Sequence, residues 1–223
     1  MKSQNTVWHV LRNALAMAPT AAMLAIALLS GCSSLLPPPL PPDSIYILEA
    51  GTAPKPTSEE AHSTLTRRDL VLEVSMPRAR AGFDTAQMVW VRQKHGLEIY
   101  AHNRWADTPA HMLASLLVQA LERSKMFHSV VQTPSMVPAM LRLDTELIRL
   151  QQDFSVRPSR VQITLSAQLI DIGTRRVIAK AEFDETENAM TEDAYGGVRA
   201  ANQALERVLA KLTAFCTEHE SPP

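Results

Sequence analysis

Cysteine, glycine and long apolar stretches are all scarce in this sequence. It has two cysteines and seven glycines in 223 residues. Two isolated cysteines cannot supply the cysteine pairs of a structural zinc site, and so few glycines disfavour an enzyme with a phosphate-binding loop. An excess of one charge is also lacking, with 22 basic and 23 acidic side chains. Nucleic-acid binding needs a clustered positive surface, so the sequence disfavours that class of protein.

Motifs of catalysis are lacking as well. The seven histidines are scattered, and none forms the i, i+4 pair around a glutamate that zinc proteases require. No Gly-x-Ser-x-Gly motif of serine hydrolases occurs. We interpret an acidic cluster before the last predicted helix as a solvated group that complements the helix dipole, rather than as a calcium site; its members are Asp184, Glu185, Glu187, Glu192 and Asp193. We therefore predict a protein that is not an enzyme and has no cofactor or metal.

The N-terminus has the pattern of an export signal. Lys2 and Arg12 make the start of the chain positive, and an apolar stretch of nine residues follows at 21–29. A helix needs roughly 20 apolar residues to cross a bilayer, so this stretch is too short for a permanent anchor. We predict that residues 1–31 are a cleaved signal peptide.

The apolar stretch ends in a short motif, Leu29-Ser30-Gly31-Cys32. This motif resembles the bacterial lipobox, in which the cysteine thiol takes a diacylglyceryl group and the new amine is acylated after cleavage, typically with palmitate. Several acyl chains anchor a protein firmly, since each buried CH₂ contributes about 0.8 kcal/mol. The alternative is an ordinary signal peptide with a chance cysteine. By resemblance to sorting rules in enteric bacteria, Ser33 favours the outer membrane over the inner one, on its periplasmic side.

Residues 32–44 form a proline-rich tether after the predicted lipidated Cys32. Five of the six positions from 37 to 42 are proline. Such a segment favours an extended polyproline conformation at about 3.1 Å per residue, which suits a semi-rigid stalk. The alternative interpretation is a docking ligand for a proline-binding groove.

Alternating and helical apolar patterns predict one domain at residues 45–217, followed by a tail at 218–223. Residues 51–67 and 77–86 are irregular. The predicted strands are 45–48, 70–75, 87–92, 97–101, 139–151, 161–169 and 176–184, and the predicted helices begin at Pro109 and span 192–217. This order, β(β)ββ–α–βββ–α, indicates an α+β, two-layer sandwich with a mostly antiparallel sheet and two amphipathic helices on one face.

Two residues of this domain carry further hypotheses. Trp105 lies between the predicted hairpin and the first helix, with His102 and His111 on either side. It is either a packing anchor for the helix entry, which we favour, or an exposed contact for a ligand or partner. Cys216 has no cysteine partner once Cys32 is lipidated, and we predict that it is buried and inert.

Several local patterns occur in a characteristic order, beginning with the lipobox and continuing from about Ile45 to Phe215. They are the lipobox, Tyr46–Leu48, a strand that ends at Pro77, Met88–Arg92, Leu97–Ala101, Arg104-Trp105, Pro109 with an amphipathic helix, and Ser124–Val130. In this order they resemble the ABC-type transport auxiliary lipoprotein family, which includes paraquat-inducible members. These small lipoproteins occur with Mce-domain transporters that move lipids between membranes.

The resemblance implies a non-enzymatic accessory component of an intermembrane lipid transport system that supports the cell envelope. The implied partners are a periplasmic Mce-domain protein and the ABC permease complex, with ATP hydrolysed by a separate subunit. Whether the chain forms a homo-oligomer is left undecided by the sequence. Two alternatives are a carrier that holds a lipid or small hydrophobic ligand between sheet and helices, and an envelope regulator that binds a cell-wall synthase or an outer-membrane assembly factor.

Overall fold

The computed structural model describes residues 42–51 and 68–219. The predicted signal peptide, most of the tether including Cys32, most of the predicted irregular segment 51–67, and the last four residues lie outside these ranges. None of the helices within the described ranges is long and apolar enough to span a bilayer.

Nine strands and two helices make up the described domain. The strands are β1 (Ser44–Tyr46), β2 (Arg68–Val74), β3 (Arg78–Ala79), β4 (Gln87–Val91), β5 (Glu98–Trp105), β6 (Phe127–Gln132), β7 (Leu141–Asp153), β8 (Arg160–Asp171) and β9 (Arg176–Asn188). The helices are α1 (Pro109–Ser124), between β5 and β6, and α2 (Ala194–Glu218), after β9.

The strands form one sheet that forks along β7. On one side of β7, strands β8 and β9 continue the sheet in long antiparallel ladders. On its other side, β2, β3 and β4 pair in turn with residues 141–143, 146–147 and 152–153, all parallel to β7. Strand β6 extends the β2 arm, and β5 followed by β1 extends the β4 arm.

The predicted α+β fold with two helices is confirmed, and the sheet is mixed. Its three antiparallel pairings include the two longest ladders, whereas its five parallel pairings are short. Strand β6 was not predicted from the sequence, nor was the two-residue β3, which lies in the segment 77–86 that was expected to be irregular. An apolar pattern indicates that a segment is a strand, but it does not identify the neighbour or the direction of pairing.

Helix α1 begins where the sequence predicts. The Thr108 side chain accepts a hydrogen bond from the His111 N–H, and Pro109 occupies the first turn, where its missing N–H is harmless. The helix ends at Lys125, which adopts a left-handed conformation with φ 57° and donates its N–H to the Glu122 carbonyl. The leucines at 113, 117 and 121 are fully buried on one face.

Helix α2 begins one residue after Asp193, whose carboxylate accepts the Gly196 N–H at 2.7 Å. Two glycines of its first turn allow very close approaches, Gly197 to the sheet and Gly196 to the loop before the helix. A Cβ at Gly197 would overlap the Gln152 side chain, and a Cβ at Gly196 would overlap Thr191. The start of α2 is therefore seated directly against the end of β7.

Both helices pack against the same face of the sheet and contact each other. Their apolar side chains and those of β2, β7 and β8 form a single core. The largest fully buried members are leucines at 72, 113, 117, 121, 141, 143, 147, 165, 169, 205 and 212, together with Ile163. On the opposite face, the alternate residues of β7 and β8 are mainly polar, because successive side chains of a strand point to opposite sides.

Candidate functional site

The predicted lipid anchor, Cys32, lies outside the described residues, so lipidation stays a prediction. The described chain begins at Pro42, two residues before β1. The end of the predicted tether therefore leads into β1 at the edge of the β4 arm, where β5 is its neighbour. This edge is where the domain receives the chain that comes from the predicted anchor.

Trp105 is the last residue of β5 and is only 4% exposed. Its N–H donates to the Ala86 carbonyl at 2.8 Å, and it pairs in register with Tyr46 of β1. The indole belongs to the core and adjoins Met88. So little of this side chain reaches solvent that it offers almost no contact area to a partner or ligand. The flanking His102 and His111 instead lie near Asp43 and Asp107, at 3.6 and 3.3 Å.

Cys216 lies in the last turns of α2 and is fully buried. The predicted burial is confirmed. Burial raises the pKa of its thiol to about 12, because the charged thiolate loses its hydration. The thiol is therefore protonated at neutral pH and is a poor nucleophile.

Two residues of the acidic cluster, Glu185 and Glu187, face α2 and form an ion-pair network with it. Glu185 accepts a hydrogen bond from Arg207 Nε at 2.8 Å and also pairs with Lys211, while Glu187 accepts from Arg207 Nη1 at 2.7 Å. The bonds from Lys211 and Arg207 lower the pKa of Glu185, and the bond from Glu185 raises that of Arg207. The network joins β9 to α2, a role that the sequence analysis did not predict.

The other three acidic residues also have structural partners. Asp184 accepts the Thr164 hydroxyl at 2.6 Å, Glu192 accepts the Ser159 N–H at 2.8 Å, and Asp193 caps α2. Within 42–51 and 68–219, no group of three or more His, Cys, Asp or Glu side chains is arranged to hold a metal ion. The cluster therefore connects elements of the fold.

The chain that follows β1 joins the two helices. The Glu49 N–H donates to Asn202 Oδ1 at 3.1 Å, and the Gly51 N–H donates to Glu206 Oε1 at 2.7 Å, both on α2. Arg123 of α1 donates to the Gly51 carbonyl at 3.4 Å. Leu48, the residue before Glu49, is buried. The segment after the tether is thus bound to both layers of the domain.

The edges of the sheet differ in chemistry. At the β1 edge, Ile45 and Ile47 are 54% and 50% exposed. The β9 edge is much longer, and it exposes charged residues such as Lys180, Glu182 and Asp184. Charged side chains discourage another strand from pairing with an edge, whereas an apolar edge invites it. The apolar side chains at the β1 edge therefore favour strand addition, and the charged side chains of β9 disfavour it.

An aromatic cleft of about 650 Å³ lies beside the β4–β5 hairpin. Trp90 makes edge contact with Phe154 at 5.7 Å between ring centroids, and the Arg92 guanidinium lies 4.8 Å above the indole. The Tyr100 hydroxyl donates to Gln152 Oε1 at 2.8 Å, and burial together with nearby Asp193 and Glu192 raises its pKa. Aromatic and arginine side chains of this kind are enriched where proteins bind one another.

Known proteins provide three comparisons with this chain. The model of the family described as ABC-type transport auxiliary lipoprotein component matches residues 47–213. A crystal structure from Xanthomonas campestris is 21% identical with a TM-score of 0.67, covering 79% of this chain and 96% of that one. The structure of an uncharacterised protein is 15% identical with a TM-score of 0.59, covering 81% and 100%. No curated protein sequence matches. At these identities the two structures show a shared fold.

Proposed function

Because this chain belongs to the family of ABC-type transport auxiliary lipoprotein components, we propose that it is a non-enzymatic accessory component of such a transporter, held on a membrane by lipids on Cys32. In this proposal, the domain positions a protein partner next to the membrane. The family match supports the transport role, and the lipobox-like motif before Ser33 supports the anchor. Neither the accessory role nor the anchoring requires a catalytic group.

The observation that carries the docking role is the exposed apolar edge of β1. Ile45 of β1 and Ile47, which directly follows β1, are each about half exposed, as is expected of apolar side chains that a partner covers. An edge strand offers main-chain N–H and C=O groups, and apolar side chains add affinity and register when a partner strand pairs with it. We therefore assign the β1 edge as the docking edge, defined by residues 44–47.

A lipid carrier with its ligand between sheet and helices is less well supported. The space beneath Trp105, between Met88, Leu150 and Ala201, has a volume of about 10 Å³. A cavity of this size holds about one water molecule, and a lipid would need a far larger apolar volume. The apolar side chains of α2 and β8 already occupy the interior.

The identity of the partner and of the cargo is proposed from the resemblance to the family. We propose that the docked partner is the periplasmic Mce-domain protein of the transporter, in contact with an ABC permease complex, and that the system supports envelope integrity by moving lipids. Ser33 favours the periplasmic face of the outer membrane. A partner docked beside the tether would stay within reach of the anchoring membrane, because a polyproline stalk is short and stiff.

The docking edge is tested by charge substitution and co-purification of the full chain from crosslinked detergent extracts. We expect Ile45→Lys with Ile47→Lys to abolish recovery of the Mce-domain protein, since charged side chains block strand addition. Val177→Lys is the matched control, because Val177 is 54% exposed at the β9 edge. Equal recovery from both variants, or no Mce-domain protein with the unaltered chain, would contradict the proposal.

The lipid anchor is tested by the substitution Cys32→Ala in the cells from which the extracts are made. We expect the domain to leave the membrane fraction while α1, α2 and the core stay folded, because Cys32 lies before the described domain. Fractionation and circular dichroism measure the two properties. A Cys32→Ala chain that still sediments with membranes and supports full transport would show that lipidation is not needed.

A further inference from the structure

A second cleft, of about 740 Å³, lies on the polar face of the sheet where the sheet forks. Strand β3 pairs with β7 at residues 146–147 and β4 pairs at 152–153, so β7 has no strand neighbour on that side between these pairings. The turn at Arg80–Phe83 and the hairpin loop at 93–97 form the walls. We call this feature the fork cleft.

Positive charge is concentrated in the fork cleft. The chain as a whole has a formal net charge of −1. The charged side chains that line the cleft, apart from His95, are four basic residues and one acidic residue: Arg80, Lys94, Arg149, Arg160 and Asp153. Asp153 pairs with Arg160 at 3.2 Å, and Arg80 Nε lies 3.9 Å from Glu146 Oε1. Arg149 and Lys94 have no carboxylate partner among residues 42–51 and 68–219. The cleft therefore has basic groups available for an anionic ligand.

The remaining lining favours an extended peptide over a lipid. Gln151 and Gln162 lie side by side on β7 and β8, with Gln151 Nε2 3.1 Å from Gln162 Oε1, and such amides can bond to a peptide main chain. Apolar side chains such as Leu97, half exposed, and Phe83 share the lining with polar groups and do not dominate it. Acyl chains would require a mainly apolar pocket that covers most of the ligand.

We propose that the fork cleft binds an extended acidic segment of the protein partner, with Arg149 and Lys94 contacting its carboxylates and Leu97 contacting an apolar side chain. This inference rests on the proposed docking function and adds a second, charge-selective contact on a different part of the domain. Arginine suits this role because its planar guanidinium can bond a carboxylate through two N–H groups.

The test uses the full-length chain in phosphatidylcholine nanodiscs and a short fluorescent peptide of alternating glutamate and leucine. Fluorescence anisotropy measures its dissociation constant. We expect Arg149→Gln with Lys94→Gln to weaken binding about tenfold or more, since a lost hydrogen bond between charged groups lowers affinity by roughly that factor. Arg149→Lys should restore part of the affinity. Arg199→Gln removes one positive charge at an exposed site on α2 outside the cleft; it is matched to Arg149→Gln alone and should have little effect.

Three results would overturn the inference. They are equal weakening by Arg199→Gln, equal binding of a peptide with glutamine in place of glutamate, and displacement of the peptide by dihexanoyl phosphatidylglycerol but not by excess unlabelled peptide. Circular dichroism confirms that each variant is folded. If the Mce-domain protein co-purifies with the chain while the peptide does not bind, only the fork-cleft assignment fails. If the peptide binds and no transporter component co-purifies, the proposed function fails instead.

Discussion

The part of the domain built from β7, β8, β9 and α2 is held together differently from the part built from β1, β4 and β5. The first part contains two antiparallel ladders of 12 paired residues each. In the second, β1 pairs with β5 through three residues and β4 pairs with β7 through two. Four half-exposed apolar residues, Ile45, Ile47, Leu97 and Ile99, belong to the second part. The long ladders therefore lie in the first part and more of the half-exposed apolar side chains lie in the second, although Val177 of β9 is exposed too.

This separation has a physical reason. A long ladder covered by a helix removes both main-chain groups and apolar side chains from water, which stabilises the fold and leaves little to bind a partner. Short strands at a fork leave edges and clefts on the surface. The docking edge, the aromatic cleft and the fork cleft all include residues of the β4 arm or its hairpin.

The largest difference between the two parts should come from deleting an apolar side chain. Leu205 of α2 is fully buried, so we expect Leu205→Ala to lower the free energy of unfolding by about 2–5 kcal/mol. Ile99→Ala at the exposed hairpin should change it by less than about 0.5 kcal/mol. Urea denaturation followed by tryptophan fluorescence measures both. Similar losses from the two substitutions would mean that the β4 arm contributes as much to stability as the ladders do.

A smaller effect is expected from the ion-pair network between β9 and α2. Arg207→Ala removes the bonds to Glu185 and Glu187, and we expect a loss of about 1–2 kcal/mol at neutral pH, because Arg207 itself is partly exposed.

The network also predicts the pH dependence of stability. The pKa of Glu185 is lowered in the folded state, so its contribution is present above the ordinary glutamate pKa of about 4.3 and is lost as the pH falls through the lowered value. Acidification should therefore destabilise the unaltered protein more than the Arg207→Ala variant. Unfolding curves from pH 7 to pH 3 check this, and parallel losses in both proteins would exclude the Arg207 bonds as the cause, since Lys211 still pairs with Glu185 in the variant.

The smallest effect concerns the two helix caps. Asp193 accepts the Gly196 N–H at 2.7 Å, whereas Thr108 accepts the His111 N–H at 3.4 Å. We expect Asp193→Ala to cost about 1 kcal/mol and Thr108→Ala to cost less, because the longer bond is weaker. Thermal denaturation ranks the two variants. A greater loss from Thr108→Ala would show that α1 depends on its cap more than α2 does.

Several elements could be predicted because their signals are local. Thr108-Pro109 marks the start of α1, and the alternation from Val161 to Leu169 marks β8. Strand β6 was not predicted, since it follows α1 directly and its six residues do not alternate clearly between apolar and polar. The ion pairs of the acidic cluster could not be predicted, because Arg207 and Lys211 lie some 20 residues further along the chain.

The sequence by itself determined the class of the domain, the start of α1 and the approximate bounds of α2, because each depends on neighbouring residues and their periodicity; the signal and the tether stay predictions. Only the tertiary structure decided that β2, β3 and β4 pair parallel to one long strand and so divide the sheet. Pairing of this kind depends on main-chain bonds between segments distant in sequence, which no local pattern specifies. The fork, its basic cleft and the exposed β1 edge follow from that pairing.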